Sequence, residues 1–183
     1  KEFTRLYDKM LWGEGPCYIP HSDMLVWSDN PNNRMLKLVN GRVDEFRNPS
    51  NFCNGNTLDN DEYLISCSHG GRCIYKIDDN LNVFTLVNNY EGKKLNSPND
   101  VVVKSDGTIW FTDPPYGILS DYEGYVGEQE YGGCYVFRFN PKSKKIDVMT
   151  KNLDRPNGIA FSHRSEEHTS ELQSLAYLVC RLL

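Results

Sequence analysis

The chain has 183 residues, of which 39% are hydrophobic, 12% aromatic and 25% charged. These proportions belong to an ordinary globular protein and exclude disordered, collagen-like and coiled-coil chains. The formal net charge of −5 leaves no basic footprint for nucleic acid, and no run of 18 apolar residues is present to span a membrane as a helix.

Helix periodicity is nearly absent before residue 163, and short β-rich runs recur instead, each bounded by Gly, Asn, Asp or Pro. In chain order the runs are Met24 to Trp27, Tyr63 to Ser66, Cys73 to Ile77, Val83 to Val87, Val101 to Val103, Thr108 to Thr112, Cys134 to Phe139 and Ile146 to Met149. Many short strands with frequent turns predict an all-β sandwich, barrel or propeller. Internal repetition selects the propeller. Asn54-Gly55 precedes a polar turn and a strand; Asn99-Asp100 does the same 45 residues later, and Asn157-Gly158 opens the unit again after a further 58. Gly15-Pro16 opens a related first unit. At roughly 40–50 residues per four-stranded blade, the chain holds about three blades and the start of a fourth.

The longer unit carries an insertion from Pro114 to Gly133 that contains Tyr116, Tyr122, Tyr125 and Tyr131. A long polar loop of this kind is either functional or a surface decoration. The strand pattern stops at Ser162-His163. Residues 164–183 begin Arg-Ser-Glu-Glu, resemble a translated short-read sequencing adapter and are set aside as a non-native tail, leaving residues 1–163 as the partial propeller domain. The chain begins at Lys1 without an initiator Met, which suggests a fragment. Six cysteines include no Cys-x-x-Cys pair and no zinc spacing, so buried thiols in a reducing compartment are expected. That favours a cytoplasmic location but leaves secretion open.

The repeat places Asn54, Asn99 and Asn157 at corresponding positions just before the innermost strands, and Glu14 precedes the first unit. Such positions converge on a propeller's central channel. One carboxylate and amide carbonyls form a hard oxygen set suited to Ca²⁺, Mg²⁺ or Mn²⁺. Spacing alone leaves two readings, because Asn-Gly and Asn-Asp are also turn sequences. Asp100 and Asp113 stand beside the inner strands, either orienting a ligand amide or capping strand ends.

The set Trp12-Gly-Glu-Gly-Pro16, Asn54-Gly-Asn-Thr-Leu-Asp59, Ser97-Pro-Asn-Asp100, Ile109-Trp-Phe-Thr-Asp-Pro-Pro-Tyr-Gly117 and Arg155-Pro-Asn-Gly-Ile-Ala-Phe-Ser162 resembles the gluconolactonase/regucalcin (senescence marker protein) family, in its bacterial gluconolactonase branch. The resemblance implies the N-terminal half of a six-bladed β-propeller. It further implies hydrolysis of a sugar lactone such as glucono-1,5-lactone, with one divalent cation (calcium, magnesium, manganese or zinc) in the channel. By motif, Glu14, Asn99 and Asn157 correspond to metal ligands. Asn99 also corresponds to a substrate contact, and Asn54, His69, Arg72 and Tyr116 are candidate substrate contacts. His69 and Arg72 read equally as surface turn residues. Some relatives carry an Arg where this chain has Ser97, so sugar recognition differs in detail. The general base that the resemblance implies, an Asp in a Pro-Asp-Gly motif, is expected beyond residue 183. The chain as written is therefore expected to be poorly folded and inactive. No Gly-x-Ser-x-Gly elbow is present, which argues against a serine hydrolase. The alternatives are a non-enzymatic calcium-binding propeller, or a strictosidine-synthase-like or phosphotriesterase-like hydrolase on the same scaffold.

Overall fold

A computed structural model describes residues 3–162, so the tail boundary at 163/164 lies outside the described residues. Three four-stranded antiparallel sheets follow one another along the chain. The first contains β1 (Gly13–Ile19), β2 (Met24–Asp29), β3 (Arg34–Val39) and β4 (Arg42–Arg47). The second contains β5 (Cys53–Leu58), β6 (Leu64–Ser68), β7 (Cys73–Ile77) and β8 (Val83–Val87). A two-stranded ribbon, β9 (Asn89–Tyr90) with β10 (Lys93–Lys94), leads to the third, formed by β11 (Val101–Val103), β12 (Ile109–Asp113), β13 (Tyr135–Asn140) and β14 (Lys145–Thr150). Each sheet runs in simple sequence order, which is the meander of a propeller blade. The fold is all-β and forms three consecutive blades of a β-propeller. Among the described residues no helix is long and apolar enough to cross a membrane.

Side-chain alternation explains the stacking. In β7, Cys73, Tyr75 and Ile77 join a core with Val26 and Met35 of the first blade, whereas Ile74 joins a core with Phe111 and Phe137 of the third. The middle blade is thus apolar on both faces because each face meets a neighbour. The third blade's far face packs Trp110 and Val136 against Ile159 and Phe161, at the start of the next unit. The cysteines at 17, 53, 67 and 73 are buried free thiols filling these cores.

The sequence pattern places Asn54 ahead of its inner strand, but Asn54 lies inside β5, and Glu14 lies inside β1. Both strands were missed because their polar, Gly-rich sequences read as turns. The pairing of β1 with β2 slips between Glu14 and Cys17, and that of β5 with β6 slips between Cys53 and Asn56. A bulge at each point re-aims the side chains next to it.

Candidate functional site at the channel end

Strand register makes Glu14, Asn54 and Asn99 equivalent. Gly13 pairs with Asp29, Cys53 pairs with Ser68, and the segment before β11 runs beside Asp113. The polar residue ending the second strand of each blade ties down the chain entering the inner strand. Asp29 Oδ1 accepts from Leu11 N at 3.0 Å, Ser68 Oγ donates to Asn51 O at 2.7 Å, and Asp113 Oδ2 accepts from Asn96 N at 2.8 Å. A hydroxyl on the second strand also holds the next blade. Ser28 Oγ donates to Asn54 O at 2.7 Å, and Thr112 Oγ1 donates to Asn157 O at 2.6 Å. Between the second and third blades, Gly55 N donates to Asn99 O at 2.8 Å.

Glycine permits this closeness. A Cβ on Gly55 would lie 2.6 Å from Asn99 O, and one on Gly15, at φ +52°, would lie 2.5 Å from Asn54 O. Asn56 rivets the first pair of blades: its Nδ2 donates to Gly15 O and Ser28 Oγ, each at 2.9 Å, and its Oδ1 accepts from Ser66 Oγ at 2.6 Å.

The main chains of Asn54, Asn99 and Asn157 are therefore pinned by neighbouring blades. The side-chain amides of Asn99 and Asn157 hydrogen-bond no other group among the described residues. Asn99 is buried, Asn157 exposed and Glu14 half-buried. Burial raises the Glu14 carboxyl above its usual range; a hydrogen bond from Trp12 opposes the rise, and the nearby charges of Asp100 and Glu123 add to it. Asp100 is itself raised by burial, although Ile159 N donates to its Oδ2 at 2.9 Å and Val101 N to its Oδ1 at 2.9 Å. Asp100 thus ties the segment bearing Asn157 to the third blade.

Asp113 serves the scaffold. Buried completely, it accepts hydrogen bonds from Asn96 N and the Tyr131 hydroxyl, and burial pushes its carboxyl up to about 8. His69 is buried too. Its Nε2 meets Asn54 Nδ2 at 3.2 Å, its Nδ1 meets Glu123 O at 2.9 Å, and burial pulls its pKa down to about 4. The ring is therefore neutral, with Nδ1–H donating to Glu123 O and Nε2 accepting from Asn54. Arg72 faces the base of the insertion, where it donates to Leu95 O at 2.5 Å and Glu128 O at 2.9 Å. Ser97 takes part in the same anchorage, donating to Pro114 O at 2.6 Å and accepting from Gly117 N at 2.9 Å. The Tyr116 hydroxyl donates to Arg155 O at 3.2 Å, two residues before Asn157.

Sequence reasoning missed Glu123. The insertion folds through a one-turn helix, α1 (Tyr116–Leu119), and returns to lay Tyr122 beside Trp12 and Tyr125 edge-on to Phe52, with ring centroids 6.5 Å and 5.2 Å apart. Gly117 allows the contact, because a Cβ there would lie 2.4 Å from His69 Cβ. The only signal in the sequence was an acidic residue among the tyrosines.

Among the described residues no three His, Cys, Asp or Glu side chains are grouped closely enough to hold a metal by themselves. The oxygen set at the channel end mixes carboxylate with amide, and its carboxylates are partly desolvated beside one another. Such a donor set fits a hard divalent cation, which would relieve their mutual repulsion.

Three consecutive four-stranded antiparallel sheets, each a meander running outward from its first strand, define part of a β-propeller. The chain belongs to the SMP-30/gluconolactonase/LRE-like family, whose model matches residues 12–168. It is 34% identical over 168 residues to a gluconolactonase of Zymomonas mobilis, covering 82% of this chain and 46% of that protein. A solved gluconolactonase from Xanthomonas campestris superposes with a TM-score of 0.84 at 40% identity, covering 88% of this chain and 54% of that one. A lactonohydrolase of Aspergillus oryzae is 35% identical over 77 residues, or 42% of this chain and 17% of that protein. The chain thus spans about half the length of the first two relatives.

Proposed function

We propose that the complete protein hydrolyses a sugar lactone of the glucono-1,5-lactone type to the open-chain acid, using one divalent cation at the channel end. The observation that carries this reading is the corresponding placement of Glu14, Asn99 and Asn157: Glu14 lies in β1, Asn99 just before β11 and Asn157 in the segment after the third blade, and the two asparagines are pinned by main-chain bonds to neighbouring elements while their side-chain amides have no partner among the described residues. The family membership and the gluconolactonase relatives support the same chemistry.

Glu14, Asn99 and Asn157 would hold the cation. When bound, such a cation polarises a lactone carbonyl and lowers the pKa of coordinated water. Asp100 fixes the Asn157 segment through Ile159 N. Asn54 and His69 brace each other beside the site, and Trp12, Tyr122 and Tyr125 form an aromatic rim on which a sugar ring can stack.

The test is acid release from glucono-1,5-lactone by the complete protein, corrected for spontaneous hydrolysis. Turnover should be abolished by a chelator and restored by a divalent cation. Glu14→Gln should lower kcat/KM by about a hundredfold or more, the scale of losing one ligand or its support. Absence of turnover by the wild type, with cation binding intact, would favour a binding propeller instead. Turnover indifferent to chelator would remove the cation from the mechanism.

A further inference from the structure

We propose that the outer edge of the second blade is a self-association surface, on which β8 pairs antiparallel with β8 of a second copy of this chain across a twofold axis at Phe84.

Each blade meanders outward from its first strand, so the last strands, β4, β8 and β14, form the rim. Each leaves one edge of backbone N–H and C=O groups without a ladder partner, which is a template for a further strand. All three are bulged alike: Phe46, Leu86 and Met149 each stand unpaired beside the neighbouring strand. What differs is charge. β4 carries Arg42, Asp44, Glu45 and Arg47, and β14 carries Lys145 and Asp147, whereas β8 reads Val-Phe-Thr-Leu-Val with no charge, proline or glycine. Val83 and Phe84 are 40% and 51% exposed, and the turn before them adds Leu81 at 53%. Neither β4 nor β14 exposes a large apolar side chain. An unguarded apolar edge of this kind marks an association site.

The strand suits its own copy. In twofold antiparallel pairing, residues directly opposite must share a face of the sheet, so one residue of the strand lies on the axis. With Phe84 there, Phe84 meets Phe84 of the second copy, Val83 meets Thr85 and Asn82 meets Leu86. Aromatic and β-branched pairs of this kind stabilise sheets, and no like charges are set opposite one another. The segments flanking β8 differ in sign. The turn before it carries Asp78 and Asp79, and the ribbon after it carries Lys93 and Lys94 with Glu91. Antiparallel pairing sets these two ends against each other. Counting outward from Phe84, Asp79 stands opposite Asn89 of the second copy, and Asn89 is the ladder partner of Lys94. Lys93 and Lys94 are exposed and form no ion pair among the described residues. A strand without charge offers nothing to a strongly charged partner, whereas it matches itself.

The experiment is sedimentation equilibrium of the complete protein. Pairing through one short strand lies at the small end of specific interfaces, so a concentration-dependent dimer is expected between about 1 μM and 1 mM. Phe84→Lys takes the ring off the axis and sets ammonium against ammonium. It should raise the dimer dissociation constant by about tenfold or more. The thermal midpoint should not move, because the side chain is exposed. Phe84→Cys is the second variant and decides the case should the Lys form be unstable. With oxidised glutathione it should give a disulfide-linked dimer, whereas Val83→Cys, off the axis, should not, and the wild type controls for Cys134. A wild type that stays monomeric throughout the range would overturn the inference. So would a dimer indifferent to Phe84→Lys, or one that cross-links through position 83 and not through position 84.

Discussion

His69 shows how one side chain links scaffold and site. Its Nδ1–H holds the insertion at Glu123 O and its Nε2 takes the Asn54 amide, and both bonds need the neutral ring. Burial lowers its folded pKa from 6.5 to about 4. As pH falls below 6.5 the unfolded chain gains a proton that the native state refuses until about 4. The stability contributed by His69 is therefore present above 6.5 and is lost as pH falls through that window. The destabilisation caused by His69→Asn should thus be smaller at pH 5 than at pH 7, by about 2 kcal/mol. Urea midpoints of both proteins at the two pH values test this, and an equal penalty at both would contradict the neutral-ring assignment.

At the scale of the element, the inner strands combine two features that seldom coincide. They are bulged, and glycines lie where neighbouring strands nearly touch. The bulges turn Glu14 and Asn54 out of the regular pleat, and Gly15 and Gly55 admit the backbone of the next blade. Gly55→Ala would force a methyl group against Asn99 O and Asp100, which are backbone and a partly buried carboxylate. We expect a stability loss of about 1–3 kcal/mol, as for other overpacked sites. In the complete protein, activity should fall further because Asn99 moves. Gly132→Ala, where the nearest atom is 4.0 Å away, is the control and should change neither. Thermal unfolding and kcat measured together distinguish a displaced ligand from simple destabilisation.

For the molecule as a whole, the cores lie between blades and not within them. Phe137 is completely buried and packs on Phe111 of its own sheet, on Tyr90 of the connecting ribbon and within a core shared with Ile65 and Ile74 of the second blade. Phe137→Ala should cost about 3–5 kcal/mol. Because the core is shared, hydrogen exchange should quicken in β6 and β7 as well as in β12 and β13. Loss of protection confined to the third blade would show that blades open independently.

The residues state clearly which segments become strands where the apolar pattern is unbroken: the middle strand β7, the outer strand β8 and the inner strand β11 run over the stretches that their apolar patterns predict. Repetition of Asn at blade spacing located Asn54, Asn99 and Asn157, and the motifs around them pointed to the family. The inner strands β1 and β5 escaped notice because Gly-Glu-Gly-Pro and Cys-Asn-Gly-Asn carry turn chemistry, and only the neighbouring blades make those segments extended. Tertiary structure alone decided that Arg72 and Ser97 anchor the insertion, that Asp113 braces a strand entry, and that Glu123 reaches the channel end. Local pattern is written in backbone preference and alternation along the chain. The meeting of residues 54 positions apart, such as His69 and Glu123, depends on how blades stack and on where a loop finds room to pack.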